Sequence, residues 1–418
     1  MNRIILIGNG FDLAHGIPTS YQSFINFLWE KIITEIYTCK TGECFENDDI
    51  SIDKVPFKMM GGNSFISLKE NLNNHRSTMV FKNTFFETIT QKSYIQNWVD
   101  IENEYYSILK DLYKKPMSKY SINQLNEDFE KITNYLKDYL INVEEKFKSQ
   151  LGKKDFLEKI GSKIYSSFKL KDFNEQSINS KVGIEFEKIE KDINYLQADK
   201  IGFEELSDDK KRIITKIGYK ESKIKLRELL LSNLASEYFD LMPEHILFLN
   251  FNYTSTEDLY KSDEHYDQFG LNYTTPYSSN HIHGSLKLTD NNPIIFGFGD
   301  EIDEEYKALE DLNDNRYLAN IKSMKYLESD NYKKLLEYLN SSSYQIFLFG
   351  HSCGISDRTL LNTLFEHKNC VSIKPFYYQI NPVKDDYSEI VRNISRNFNN
   401  KVSMRDKVVN KKYCESLS

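Results

Sequence analysis

The chain has 418 residues, 40% of them hydrophobic and 28% charged, with 54 Lys and Arg against 62 Asp and Glu and a formal net charge of −8. That balance excludes wholesale disorder, leaves room for two or three domains with cores of their own, and gives no electrostatic footprint for direct nucleic-acid binding. Five cysteines without a Cys-x-x-Cys pair exclude a disulfide framework and a paired-cysteine zinc module, and no stretch approaches the roughly 20 apolar residues of a membrane span.

The apolar run Ile4-Ile5-Leu6-Ile7 predicts a first strand that leads directly into Gly8-Asn9-Gly10-Phe11-Asp12. The run is too short for a signal peptide, so a cytoplasmic protein is expected. Glycines at a strand exit let backbone amides approach a phosphate, with a helix N-terminus behind them; they also serve a tight turn that binds nothing. Pro18-Thr19-Ser20 then starts a helix carrying Phe24, Phe27, Leu28, Ile32 and Ile36 at helical spacing, so residues 1–37 read as a βα unit. Residues 38–75, with Thr41-Gly42, Asn47-Asp48-Asp49 and Gly61-Gly62-Asn63, lose periodicity and read as an irregular excursion.

From about 98 to 240, apolar residues recur three or four apart, as at Leu125, Phe129, Ile132 and Leu136, and residues 38–243 are expected to form a mainly helical insertion. Strand character returns at 245–251, 281–283, 294–296, 344–349 and 376–380, with helices at 357–367 and 386–398. Continuous apolar strands alternating with helices predict an α/β fold with a mostly parallel sheet. The sheet domain resumes over 244–408 and is followed by a tail, 409–418.

Ligands of such sheets bind at the carboxyl ends of the strands. Four runs end there in informative residues: Gly8-Asn9-Gly10, then Asn250-Phe251-Asn252-Tyr253-Thr254, then His281-Ile282-His283-Gly284-Ser285, and finally Gly350-His351-Ser352-Cys353 with Asp357 beyond. An Asn amide orients a ribose and a water together, and a His with a pKa near neutrality takes a proton. Each residue also has a plain structural use. Asn252 can close an Asx-turn, Asp12 can hold its own turn or a ribose hydroxyl, and Ser356 and Asp357 can cap a helix. His281 and His283 would share one face of a strand, but no third metal ligand stands at a recognisable spacing, so no metal is expected. Asp100, Glu102 and Glu104, after Trp98, form either a solvated acidic face or a contribution of the insertion to the site.

In their order these motifs resemble the sirtuin-like NAD-binding proteins, which open with a strand, a Gly-x-Gly turn and Gly-Ile-Pro, as Gly16-Ile17-Pro18 does here. They resemble more closely the bacteriophage abortive infection AbiH family, whose members carry Gly-Asn-Gly-Phe-Asp, Phe-Asn-Tyr-Thr, His-x-His-Gly and Phe-Gly-His-Ser. Residues 2–24 and 245–360 carry the resemblance, with Trp98-Val99-Asp100-Ile101-Glu102 as a further patch. The resemblance implies a sirtuin-like, Rossmann-type sheet and an antiphage NAD⁺ glycohydrolase, with Asn252 and His283 catalytic. NAD⁺ is then substrate, bound by Gly8, Asn9, Gly10, Phe11, Asp12, Thr254, Gly284, Gly350, His351, Ser352 and Asp357. Sirtuins place Asp where Thr254 stands, and its hydroxyl can still meet the nicotinamide amide. A homo-oligomer and a phage protein as trigger are expected by analogy. The same features suit a non-catalytic sensor of NAD⁺ or ADP-ribose, or a nucleotide transferase.

Overall fold

A computed structural model describes residues 1–56, 64–96, 100–115, 120–148, 154–261, 275–287, 292–298, 301 and 303–417. Trp98, Val99 and Gly61-Gly62-Asn63 lie outside them. The chain opens with β1 (Asn2–Ile7), a short helix α1 (Asn9–Ala14) and α2 (Tyr21–Ile36), which begins where the Ser20 hydroxyl accepts from the Ser23 N–H. Next come β2 (Phe45–Glu46), β3 (Ile50–Ile52), α3 (Phe65–Asn74) and β4 (Met79–Phe81). A helical run follows: α4 (Thr84–Gln96), α5 (Ile101–Lys114), α6 (Ile122–Lys148), α7 (Lys154–Ile164), α8 (Glu175–Gln197), α9 (Asp208–Ile217), α10 (Ser222–Leu231) and α11 (Ala235–Tyr238). The remaining strands are β5 (Ile246–Asn250), β6 (Tyr277–His281), β7 (Tyr344–Phe349), β8 (Cys370–Phe376), β9 (Gln379–Asn381) and β10 (Lys384–Asp385).

Five of these strands form one parallel sheet in the order β6-β5-β1-β7-β8. Ile4 and Leu6 of β1 pack on one face with Leu247, Leu249, Ile346 and Leu348, while Ile5 and Ile7 pack on the other with Phe248, Phe347 and Phe349. An apolar run without polar alternation follows from burial on both faces. Chain order runs outward from β1 in both directions, so the direction reverses between β1 and β7. Ligand crevices of open parallel sheets lie at such a reversal, beyond the carboxyl ends of the strands.

The segment between α2 and β5 is largely helical and builds two cores. Helices α2 and α4 to α6 bury Trp29 against Phe86 (ring centroids 5.2 Å apart) and Phe129 against Phe296 (5.0 Å). Helices α8 to α11 bury Ile189, Ile193, Leu226 and Leu230 in a second cluster that reaches Val371 of β8.

Four expectations need correction. Residues 45–81 hold a three-stranded antiparallel sheet and α3 instead of an irregular excursion. The run at 294–296 forms no strand; Phe296 plugs the helical core instead. The strand expected at 281–283 starts at Tyr277 and stops at His281, because Gly284 turns the chain at φ +89°. The run at 376–380 divides at Phe376, and Gln379 begins a separate hairpin, β9–β10.

Candidate functional site

At the reversal, the turn after β1 and the turn after β7 interlock. The Gly8 N–H donates to the Phe349 carbonyl (3.1 Å), the Gly10 N–H to the Gly350 carbonyl (2.8 Å) and the Phe11 N–H to the Gly8 carbonyl (2.9 Å). A Cβ on Gly350, whose φ is +70°, would lie 2.1 Å from the Phe11 nitrogen, and one on Gly8 would lie 2.5 Å from the His351 Cα. The glycines therefore let one turn pass against another, and the amides of Gly8 and Gly10 are already engaged by carbonyls. Gly350→Ala is expected to lower the unfolding free energy by on the order of 3 kcal/mol through combined strain and overpacking. Chemical denaturation checks this, and a loss below about 0.5 kcal/mol, the scale of a neutral surface change, would refute the steric account.

The residues around this crossing are tied down. Phe11 is buried against Phe349, His15 and Tyr260. The Thr254 hydroxyl donates to Asp12 Oδ2 at 2.6 Å, and both side chains are buried. Burial pushes the Asp12 carboxyl up to about 6, with the Thr254 hydroxyl partly opposing. Asn252 Nδ2 donates to the Gly8 carbonyl at 3.1 Å and ties the end of β5 to the glycine turn. The Asx-turn at this strand end belongs to Asn250, whose side-chain oxygen accepts from the Asn252 N–H (2.8 Å). Asn9 is exposed and accepts from the Thr19 hydroxyl, Ser352 is also exposed, and Gly284 packs its bare α-carbon against the Pro293 carbonyl.

Beside this crossing lies a buried charged network assembled from four segments. Lys322, on the short helix Lys322–Lys325, reaches Glu102 of α5 at 2.9 Å and Asp357, after β7, at 2.8 Å. His283 Nε2 lies 3.1 Å from the Tyr326 hydroxyl and 3.3 Å from Asp357 Oδ1, and His351 Nε2 faces Asp357 Oδ2 at 3.6 Å. The Cys353 N–H donates to His351 Nδ1 (2.9 Å), so neutral His351 carries its proton on Nε2, toward the carboxylate. Phe251 meets both imidazoles edge-on, at 4.9 Å from His283 and 4.4 Å from His351. The structure thus joins His283, His351 and Asp357 directly and adds Glu102 from α5.

The electrostatics divide the two carboxyls. Burial pushes Glu102 up to about 8, and the Lys322 ammonium only partly opposes it. Burial also pushes Asp357 up, but Lys322 and His283 outweigh it and hold its carboxyl well below the usual range. Near neutral pH the network therefore pairs an ionised Asp357 with Lys322, whose pKa these partners raise against burial, while burial disfavours ionisation of Glu102. Burial, then the charge of Lys322, lowers His283 to about 4, so its imidazole is neutral at pH 7 and a weaker base than the near-neutral one expected from the sequence.

A buried neutral His makes the fold acid-sensitive. The unfolded chain gains its proton near pH 6.5 and the native one only near 4, so stability falls as pH drops through that window, by about 3 kcal/mol in all. His15, also lowered to about 4 by burial, acts in the same direction, so the difference between wild type and His283→Gln isolates His283. Urea unfolding at pH 7 and pH 4.5 is expected to show a smaller acid loss in the variant. Equal losses would refute this assignment.

His281 belongs to a second network. Its Nε2 meets Glu257 at 2.8 Å, and Glu257, fully buried, also takes Lys261 at 2.7 Å and the Asn250 amide at 2.8 Å. Burial opposes ionisation of Glu257, but His281 and Lys261 bring it down to about 2. The two histidines therefore serve different carboxylates, and among the described residues no group of three His, Cys, Asp or Glu is placed to hold a metal. The acidic patch also separates: Asp100 caps α5 by accepting from the Asn103 N–H (3.1 Å), Glu104 pairs with Lys92, and Glu102 alone enters the network. Lys322 and Tyr326, absent from every sequence motif, stand four residues apart on consecutive helical turns; only that spacing could have linked them.

A five-stranded parallel sheet with a buried, charged, histidine-containing cluster at its reversal point makes this an α/β protein of the class whose ligands bind at such a reversal. The family model described as Bacteriophage abortive infection AbiH matches residues 4–379, and the chain belongs to that family. Membership ties it to abortive infection of phage-infected cells. Comparison with curated proteins and with solved structures gave no match. Among the described residues no helix is long and apolar enough to cross a membrane.

Proposed function

We propose that this chain is a cytoplasmic antiphage effector that hydrolyses NAD⁺ at its nicotinamide–ribose bond, with the sheet binding the dinucleotide in the sirtuin-like manner. One observation carries the reading: neutral His283, backed by ionised Asp357, stands at the reversal point of the sheet in a chain of an abortive-infection family. The leaving nicotinamide is already cationic in NAD⁺, so cleavage passes through an oxocarbenium-like state and asks for positioning and a base. Asn252 orients the ribose and the attacking water. As water adds to the ribose carbon and nicotinamide leaves neutral, His283 takes the water's proton and Asp357 stabilises the imidazolium. The products are nicotinamide, ADP-ribose and a proton.

Glu102 comes from α5, so the helical segment closes over the network and controls access to it. A homo-oligomer and a phage protein as trigger fit an effector held silent until infection. Purified protein, with and without phage lysate, is expected to deplete NAD⁺ and release nicotinamide when triggered; an unchanged NAD⁺ pool in triggered wild type would end this reading. The engaged amides of Gly8 and Gly10 and the Thr254 hydroxyl spent on Asp12 favour a second reading, a sensor that binds NAD⁺ or ADP-ribose without turnover. Nucleotide binding without product identifies it.

A further inference from the structure

A second site lies on the sheet face covered by α7, with no lining residue in common with the buried charged network. It is a cavity of about 290 Å³ whose wall carries Lys159, Lys163, Lys169 and Lys374 against only two acids, Asp172 and Glu415. Its volume is at the small end of ligand pockets, which run from roughly 300 to 1,000 Å³.

The buried charge here is unbalanced. Lys163 and Lys374 are each less than 10% exposed, and Arg3, fully buried behind the wall, donates to the Ser166 carbonyl (2.6 Å) while its guanidinium lies 4.3 Å from the Phe347 ring. Among the described residues three buried cations thus face one buried carboxylate, since Glu415 is exposed. Arg3 Nε and Nη2 have no hydrogen-bond partner among the described residues, while Lys163 donates to the carbonyls of Ser416 and Leu417, both at 2.7 Å, and lies 5.9 Å from the Phe376 ring. Burial lowers Lys163 to about 8 and Arg3 to about 9, as expected of cations short of counter-charge. An anion in the cavity would relieve all of them.

Asp172 narrows the class of anion. Its Oδ2 takes Lys374 at 2.8 Å, while its Oδ1 is buried in the same wall without a partner and requires a donor. Inorganic phosphate can offer that oxygen only a P–O–H group; a phosphate ester of a polyol keeps its phosphoryl oxygens for the lysines and brings a separate hydroxyl.

We infer that this cavity binds a small phosphate ester of a polyol, of the sugar phosphate class, with the phosphate toward the lysines and a hydroxyl toward Asp172. The test is calorimetric titration of the full chain with ribose 5-phosphate, inorganic phosphate and ribose. Ribose 5-phosphate is expected to bind once per chain, at least tenfold more tightly than phosphate, with no measurable ribose binding. Lys159→Gln/Lys169→Gln changes only exposed residues and is expected to weaken the ester at least tenfold. Asp172→Asn, if it folds, is expected to erase the preference over phosphate. No binding of the ester, equal affinity for phosphate and ester, or an unchanged affinity in the double lysine variant would each overturn the assignment.

Discussion

Lys322→Met is expected to lower the unfolding free energy by about 3–5 kcal/mol, the largest loss foreseen for a single side chain here. The ammonium is 1% exposed and sits 2.9 Å from Glu102 and 2.8 Å from Asp357. Removing it leaves Asp357 as a buried anion whose remaining partners are the two imidazoles, while ionisation of Glu102 is disfavoured further. A buried pair stabilises little against an apolar replacement of both partners, but breaking it from one side exposes the full desolvation cost of the other. Lys322→Met/Asp357→Asn should therefore recover part of the loss. Urea denaturation of the single and double variants decides it: a single-variant loss below about 1 kcal/mol, or a double variant worse than the sum of its parts, would refute the account. The same substitution removes a positive charge that lowers His283, so the imidazole should titrate nearer its ordinary value.

His283→Ala is expected to reduce triggered NAD⁺ consumption by about 10²–10⁴-fold, the usual contribution of a positioned base. Asp357→Asn should reduce it less, because the imidazole keeps its contact with Tyr326. Both variants need a circular dichroism spectrum matching wild type. Full turnover in folded His283→Ala would remove this residue from the chemistry, whatever the chain does with NAD⁺. Toxicity to infected cells that survives His283→Ala would favour the sensor over the hydrolase.

Much of the sheet is legible in the sequence because burial on both faces leaves apolar runs: 344–349 coincides with β7, and 245–251 brackets β5. The helix at 21–36 is legible from its Ser20 cap and periodic apolar face. The β2 to β4 sheet is not, since strands of two or three residues are too short to show alternation. Ile294-Ile295-Phe296 is as apolar as a strand, but its burial comes from α6 and from the sheet core, not from strand pairing. The candidate site is legible only in part. His283, His351 and Asp357 stand in motifs at strand ends, whereas Lys322 lies on a four-residue helix whose meaning exists only once Glu102 and Asp357 are brought to it. The opposite error attaches to the glycines: their spacing reads as a cradle, and the structure spends two of their amides on the neighbouring turn.

The central position of β1 has a consequence for the nascent chain. Of the five sheet strands β1 leaves the ribosome before the others, yet its two neighbours begin at Ile246 and Tyr344. At roughly 5–20 residues per second, the segment Ile4-Ile5-Leu6-Ile7 waits on the order of tens of seconds with both edges unpaired. Meanwhile the helical cores, built from nearer neighbours, can form. Assembly of the sheet is thus a late, long-range event, and during synthesis β1 is the segment most in need of a chaperone.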